Sequence, residues 1–172
     1  MERRSDLLWA TLGEGGLVLA VAAIGWVTRQ PFIFASLGPT AYELVEQPQL
    51  RSARIYNVIV GHLVGLGAGF AALYLLNAWA APQVLTSGVV SAQRLWAATL
   101  AAMLTTFVTL VLKASQPAAP ATTLLVALGV MQTRRDTVAI VVGVVIIAAL
   151  GEPVRRFRLK HTQIRKALDQ AA

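Results

Sequence analysis

The chain has 172 residues, of which 56% are apolar and 13% charged, and its mean hydropathy is +0.64. A water-soluble domain carries about 25% charged residues, so a core wrapped in a polar, solvated surface is excluded and a single lipid-embedded domain is expected. The net charge of +7 is concentrated: six of the fifteen cations, Arg155, Arg156, Arg158, Lys160, Arg165 and Lys166, follow the last apolar run. Such a cluster reads as a cytoplasmic anchor against membrane lipid rather than a nucleic-acid site.

The first apolar stretch, Leu7 to Val27, is long enough to span a bilayer with Glu14 inside it. It lacks a small-residue cleavage site and is expected to be retained as a helix. Next comes an interrupted segment, residues 30–45, Gln-Pro-Phe-Ile-Phe-Ala-Ser-Leu-Gly-Pro-Thr-Ala-Tyr-Glu-Leu-Val. It is too apolar for a solvent loop and too broken for an ordinary spanning helix. Ile55 to Ala80 forms the second long helix and holds Asn57, His62 and Asn77; Gly61, Gly65 and Gly69 make a bare stripe along it, suited to close approach by a neighbour. That stripe is expected at a helix contact within or between protomers, and it would draw His62 into the interior.

Leu95 to Leu112 is the third long helix. A second interrupted segment follows, residues 116–129, Gln-Pro-Ala-Ala-Pro-Ala-Thr-Thr-Leu-Leu-Val-Ala-Leu-Gly. Thr137 to Leu150 is a short fourth span, and residues 158–172 form a basic tail beyond the transmembrane domain of residues 1–157. Each interrupted segment opens with Gln-Pro and reaches a second proline, Pro39 or Pro120, followed by threonine and an apolar run. Proline suits the first turn of a helix, so each reads as an extended lead-in followed by a half-helix. Irregular backbone at membrane depth is tolerated only where protein buries it or a polar cavity receives it.

The expected fold is therefore all-α and polytopic, with four long helices and two broken or re-entrant half-helix segments. They are arranged as an internal, inverted repeat of halves at about 7–80 and 93–151. If both interrupted segments cross the membrane, the inside holds Arg3, Arg4, Arg51, Arg54, Lys113 and the six C-terminal cations, eleven of the fifteen. If they are re-entrant, nine lie inside. Charge placement favours six crossings, and both arrangements put both termini in the cytoplasm.

A half-helix N-terminus presents unpaired N–H groups and about half a positive charge. Two converging N-termini would bind a small anion without a buried lysine. Ser36, Thr40, Thr122 and Thr123 would add hydroxyl donors, Gln116 and Asn57 amide donors, and Gly38 room for close backbone approach. His62 would be a protonatable neighbour. The alternative for the prolines and glycines is simple kinking and tight packing. No phosphate loop, metal-binding or nucleophile motif is present, and cysteine is absent, so neither enzymatic activity nor a cofactor is expected.

Phe34-Ala-Ser-Leu-Gly-Pro-Thr-Ala, Asn57-Val-Ile-Val-Gly-His-Leu and Gln116-Pro-Ala-Ala-Pro-Ala-Thr-Thr together resemble the HPP family of membrane proteins over roughly residues 7 to 157. The chain departs from the family's His-Pro-Pro motif, with Gln116-Pro117-Ala118 in its place and Pro120 where the family has glycine; Thr122 matches the motif threonine. The resemblance implies a compact integral membrane protein, with nitrite transport attributed to some members. The expected function is a transporter or channel-like carrier for a small inorganic anion in a bacterial inner membrane, assembled as a homo-oligomer, most simply a dimer. The rival expectation is a non-transporting scaffold or sensor subunit acting through its basic tail.

Overall fold

The structure, a computed structural model, describes the backbone of residues 2–171 and the side chains of residues 6–161. Arg3, Arg4, Arg165 and Lys166 therefore lie outside the described side chains. Every regular element among the described residues is a helix: α1 (Glu2–Thr28), α2 (Leu37–Glu46), α3 (Ile55–Leu75), a single turn α4 (Val84–Ser87), α5 (Ala92–Val111), α6 (Ala119–Ala127) and α7 (Arg134–Ala171). Segments of α1, α3, α5 and α7 are long and apolar enough to cross a membrane. α2 and α6 are the two expected half-helices, each preceded by an extended lead-in.

The fourth span is longer than its apolar stretch. α7 runs 38 residues without a break through Pro153, so the basic tail begins as a continuation of the helix rather than a separate segment. Hydropathy marks where a helix leaves lipid. It does not mark where the helix stops, because Arg, Lys, Gln and Leu are good helix formers in water too.

The lead-in of the first interrupted segment begins beside the C-terminus of α1, where Gln30 N–H bonds Gly25 O at 2.9 Å. Arg135 at the start of α7 donates to Arg29 O (2.9 Å) and Gln30 Oε1 (3.2 Å) there. The segment finishes at the opposite end, where Arg155 donates to Pro48 O at 3.0 Å. The second starts at that same opposite end, with Leu112 O against Tyr56 and Ser115 O against Asn57. It finishes where Ala127 O accepts from Arg94, at the start of α5. Both segments thus traverse the bundle, and the chain passes between its two ends six times.

The glycine stripe on α3 faces α6 within the same chain. A Cβ at Gly61 would lie 2.7 Å from Gln116 Cβ, one at Gly65 2.6 Å from Ala119 O, and one at Gly69 2.7 Å from Val126 Cβ. No side chain fits at that seam. α7 makes the same kind of contact with the first interrupted segment: Cβ atoms at Gly143 and Gly151 would meet Phe32 O and Leu44 Cδ1 at 2.5 Å. Gly143 and Gly151 follow Gly61 and Gly69 by one offset of 82 positions (143 less 61, 151 less 69), as do Phe32 and Ala114, Thr40 and Thr122. The well-packed helix pairs are α3 with α5, α6 and α7, α7 with α1 and α2, α1 with α2, and α5 with α6. Exchanging α1 with α5, α2 with α6 and α3 with α7 returns the same set.

Candidate functional site

The two half-helices meet through their first turns. Ser36, the N-cap of α2, places Oγ 2.7 Å from Oγ1 of Thr122 in α6, and both residues are fully buried. Ser36 has helical rather than extended dihedrals and its hydroxyl caps nothing; Ala118, the N-cap of α6, has no side chain with which to cap. Two helix N-termini therefore reach one buried point without side-chain caps of their own.

His62 joins this pair from α3. Its Nδ1 lies 2.8 Å from Val58 O, which requires a proton on Nδ1, and its Nε2 lies 3.2 Å from Thr40 Oγ1. Thr40 Oγ1 is also 2.9 Å from Ser36 O. With a neutral imidazole, the single hydroxyl proton of Thr40 has two acceptors to serve. With an imidazolium, Nε2–H donates to Thr40, Thr40 donates to Ser36 O, and the chain of bonds is complete. Ser36, Thr40, His62 and Thr122 are the expected residues that the fold brings together.

The others lie elsewhere. Thr123 sits about 100° around α6 from Thr122; it donates to Ala119 O (3.1 Å) and pairs with Thr105 of α5 at 2.7 Å. Asn57 donates to Ser115 O at 3.0 Å and Lys113 O at 3.4 Å, fastening the second lead-in, whose carbonyls would otherwise be unpaired at depth. Gln116 spends its amide on Glu43 Oε2 (2.8 Å) and its oxygen on Ala118 N–H. The close backbone approach expected at Gly38 is absent: no atom lies within 4 Å of a Cβ built there. Positions 36, 40 and 43 share one face of α2, whereas Gly38 points the other way, into a shallow recess with Val18, Val21, Ile33 and Ile147.

Of the buried charged residues, Glu43 and Arg94 are the two that hold the interrupted segments, and neither stands out in the sequence. Glu46 and Gln47 follow Glu43 closely and point to water for it as well, yet it is 6% exposed and bonded to both Gln116 and Ser52. The i, i+4, i+7 spacing of Ser36, Thr40 and Glu43 was the available signal. Arg94, at the start of α5, is 1% exposed and donates to Ala81 O, Pro82 O, Ala127 O and Gln132 Oε1. It ties the C-terminal end of α6 to the loop before α4, and the negative end of the half-helix favours its charge. Glu14 is half-buried and lines an open groove between α1 and α2, with Tyr42 and Glu46.

Long apolar helices, two interrupted crossings and a buried polar centre define a multi-pass helical membrane protein. A family model described as HPP, transmembrane region, matches residues 1–162. The chain belongs to the HPP family. No curated protein and no solved structure matches it.

Proposed function

We propose that this protein carries a small inorganic anion, with nitrite the first candidate, through a multi-pass bundle in a bacterial inner membrane. The observation that supports it most is the Ser36–Thr122 contact, where two half-helix N-termini without side-chain caps converge on buried hydroxyls beside His62. Hydroxyls that bond each other in a closed arrangement can turn to an anion when the half-helices part, and the helix dipoles favour negative charge at that point. Ser36, Thr40, Thr122 and His62 would touch the anion. Asn57, Gln116 and Thr123 would act by holding the half-helices in place, and Gly38 by leaving the outer side of α2 open.

The two halves are read as an inverted repeat, because the glycine contacts and the packed helix pairs correspond under a common offset. The positive-inside rule assigns the end carrying Arg51, Lys113, Arg155 and Arg158 to the cytoplasm, with both termini there. A homodimer fits the small interior; since the glycine stripe is occupied within one chain, its interface would use other helix faces.

The test is flux in proteoliposomes. Nitrite flux should exceed that of protein-free vesicles and fall roughly tenfold, about 1.4 kcal/mol, when Thr122 is changed to valine or His62 to alanine. Absence of flux of nitrite, nitrate, formate and chloride under any gradient would overturn the reading. Retention of a partner or of lipid binding through α7 would then favour a scaffold.

A further inference from the structure

Glu43 is a buried carboxyl that the anion reading does not use. It continues the polar face of α2 from Ser36 and Thr40 towards the end of the bundle that holds Pro48 and Arg155. One carboxyl oxygen accepts the Gln116 amide N–H at 2.8 Å and the other accepts the Ser52 hydroxyl. Gln116 accepts the N–H of Ala118, the N-cap of α6, through its remaining amide atom. Glu43 is thus two hydrogen bonds from the start of the second half-helix.

Its two hydrogen-bonded partners are neutral, and no cation within ion-pair distance of it occurs among the described residues. The charged groups on the elements around α2 are otherwise engaged or exposed. On α7, Glu152 is paired with Arg155 and Arg156. On α1, Glu14 and Asp6 lie along the groove with Glu46 of α2 itself. On α3, His62 is bound to Thr40. Arg51, Arg54 and Lys113 of the neighbouring loops are exposed. An ionisable residue inside a membrane domain marks a functional position by default, proton relays among them.

The hydrogen-bond roles give a proton one place to go. The Gln116 –NH2 group can only donate, so it fixes its carboxyl oxygen as an acceptor; the Ser52 hydroxyl can donate or accept. A proton arriving on the oxygen facing Ser52 leaves every group paired once that hydroxyl turns round. Ser52 is half-exposed, in the loop at the Pro48 end, so the proton comes from water at that end. Neutralising the carboxylate also removes the charge-assisted strength of its bond to Gln116, which loosens the hold on α6.

We propose that Glu43 binds and releases one proton through Ser52 at the Pro48 end, and that this proton accompanies the anion by freeing Gln116 and the α6 N-terminus. The coupling half of this inference rests on the anion-transport reading; the proton site does not.

The full chain is reconstituted with a pH dye inside the vesicles, and nitrate and nitrite are offered as probe anions against protein-free controls. In the unchanged protein, an acid exterior should accelerate anion uptake, and protons should enter with it. Glu43→Gln should keep anion flux but lose both the acceleration and the proton signal. Proton entry by Glu43→Gln equal to that of the unchanged protein, or anion uptake indifferent to the pH gradient before any substitution, would overturn the coupling. Infrared difference spectra between pH ~5 and ~9 decide the site without any transport. A protonated-carboxyl band should be present in the unchanged protein and in Glu43→Asp, absent in Glu43→Gln, and displaced in midpoint by Ser52→Ala. Identical bands in the unchanged protein and Glu43→Gln would overturn the proton site even if anions were carried.

Discussion

Ser36 Oγ and Thr122 Oγ1 lie 2.7 Å apart although 86 positions separate them in the chain. The bond joins the two interrupted segments at their half-helix starts, as Gln116–Glu43 joins them nearer the Pro48 end, and it involves no group from a long helix. Loss of either hydroxyl leaves the other buried without that partner. Ser36→Ala or Thr122→Val should each destabilise the folded protein by about 1 kcal/mol, and the double substitution by clearly less than the sum. Unfolding in detergent, arranged as a double-mutant cycle, measures this coupling.

The glycines divide sharply by what a methyl group would meet. Gly65→Ala and Gly69→Ala press on Ala119 O and on Val126, and each should cost ~1–3 kcal/mol. Gly67→Ala, on the same helix with nothing within 4 Å, and Gly15→Ala on α1 should be neutral or slightly stabilising. Thermal unfolding of the four variants in one detergent is sufficient, and equal losses across them would contradict the α3–α6 seam.

Arg94 should not tolerate lysine. Its guanidinium serves four acceptors in different directions, and an ammonium cannot reach them all. Gly129 has φ +88°, and a Cβ there would stand 2.6 Å from Arg94 Nη2. Arg94→Lys and Gly129→Ala should therefore each cost roughly 2 kcal/mol or more and give similar increases in protease cleavage near Ala81–Pro82. Limited proteolysis with mass spectrometry reads both.

The chain contains no cysteine, so single cysteines can report its path directly. Cysteines at Gln49 and Lys113 should react with an impermeant maleimide from one side of the membrane, and those at Arg29 and Ser87 from the other. Labelling of Gln49 and Arg29 from the same side would mean that the first interrupted segment does not cross.

Much of this fold is legible in the sequence because lipid imposes a simple rule on composition. The long helices follow from apolar run length, and the half-helices from Pro39 and Pro120 in otherwise apolar stretches. His62 follows from its place beside the glycine stripe. What one dimension does not carry is angular position on a short helix. Thr122 and Thr123 look equivalent, yet a rotation of about 100° sends one to Ser36 and the other to Thr105. The same reason hid Glu43, whose neighbours Glu46 and Gln47 do reach solvent. Arg94 was concealed differently: a lone arginine at a helix start usually faces water, and its acceptors are backbone carbonyls that no residue pattern reveals.

The offset of 82 positions has a consequence for Glu43 and Gln116. Their counterparts in the other half are Leu125 and Phe34, which belong to the hydrophobic core. The positions that hold a carboxylate and an amide towards one end of the bundle thus hold two apolar side chains towards the other. Parting the first pair responds to acidity. Parting Leu125 and Phe34 from their neighbours has a cost that scales with the apolar area laid bare. Positions that correspond in packing are in this way unlike in chemistry.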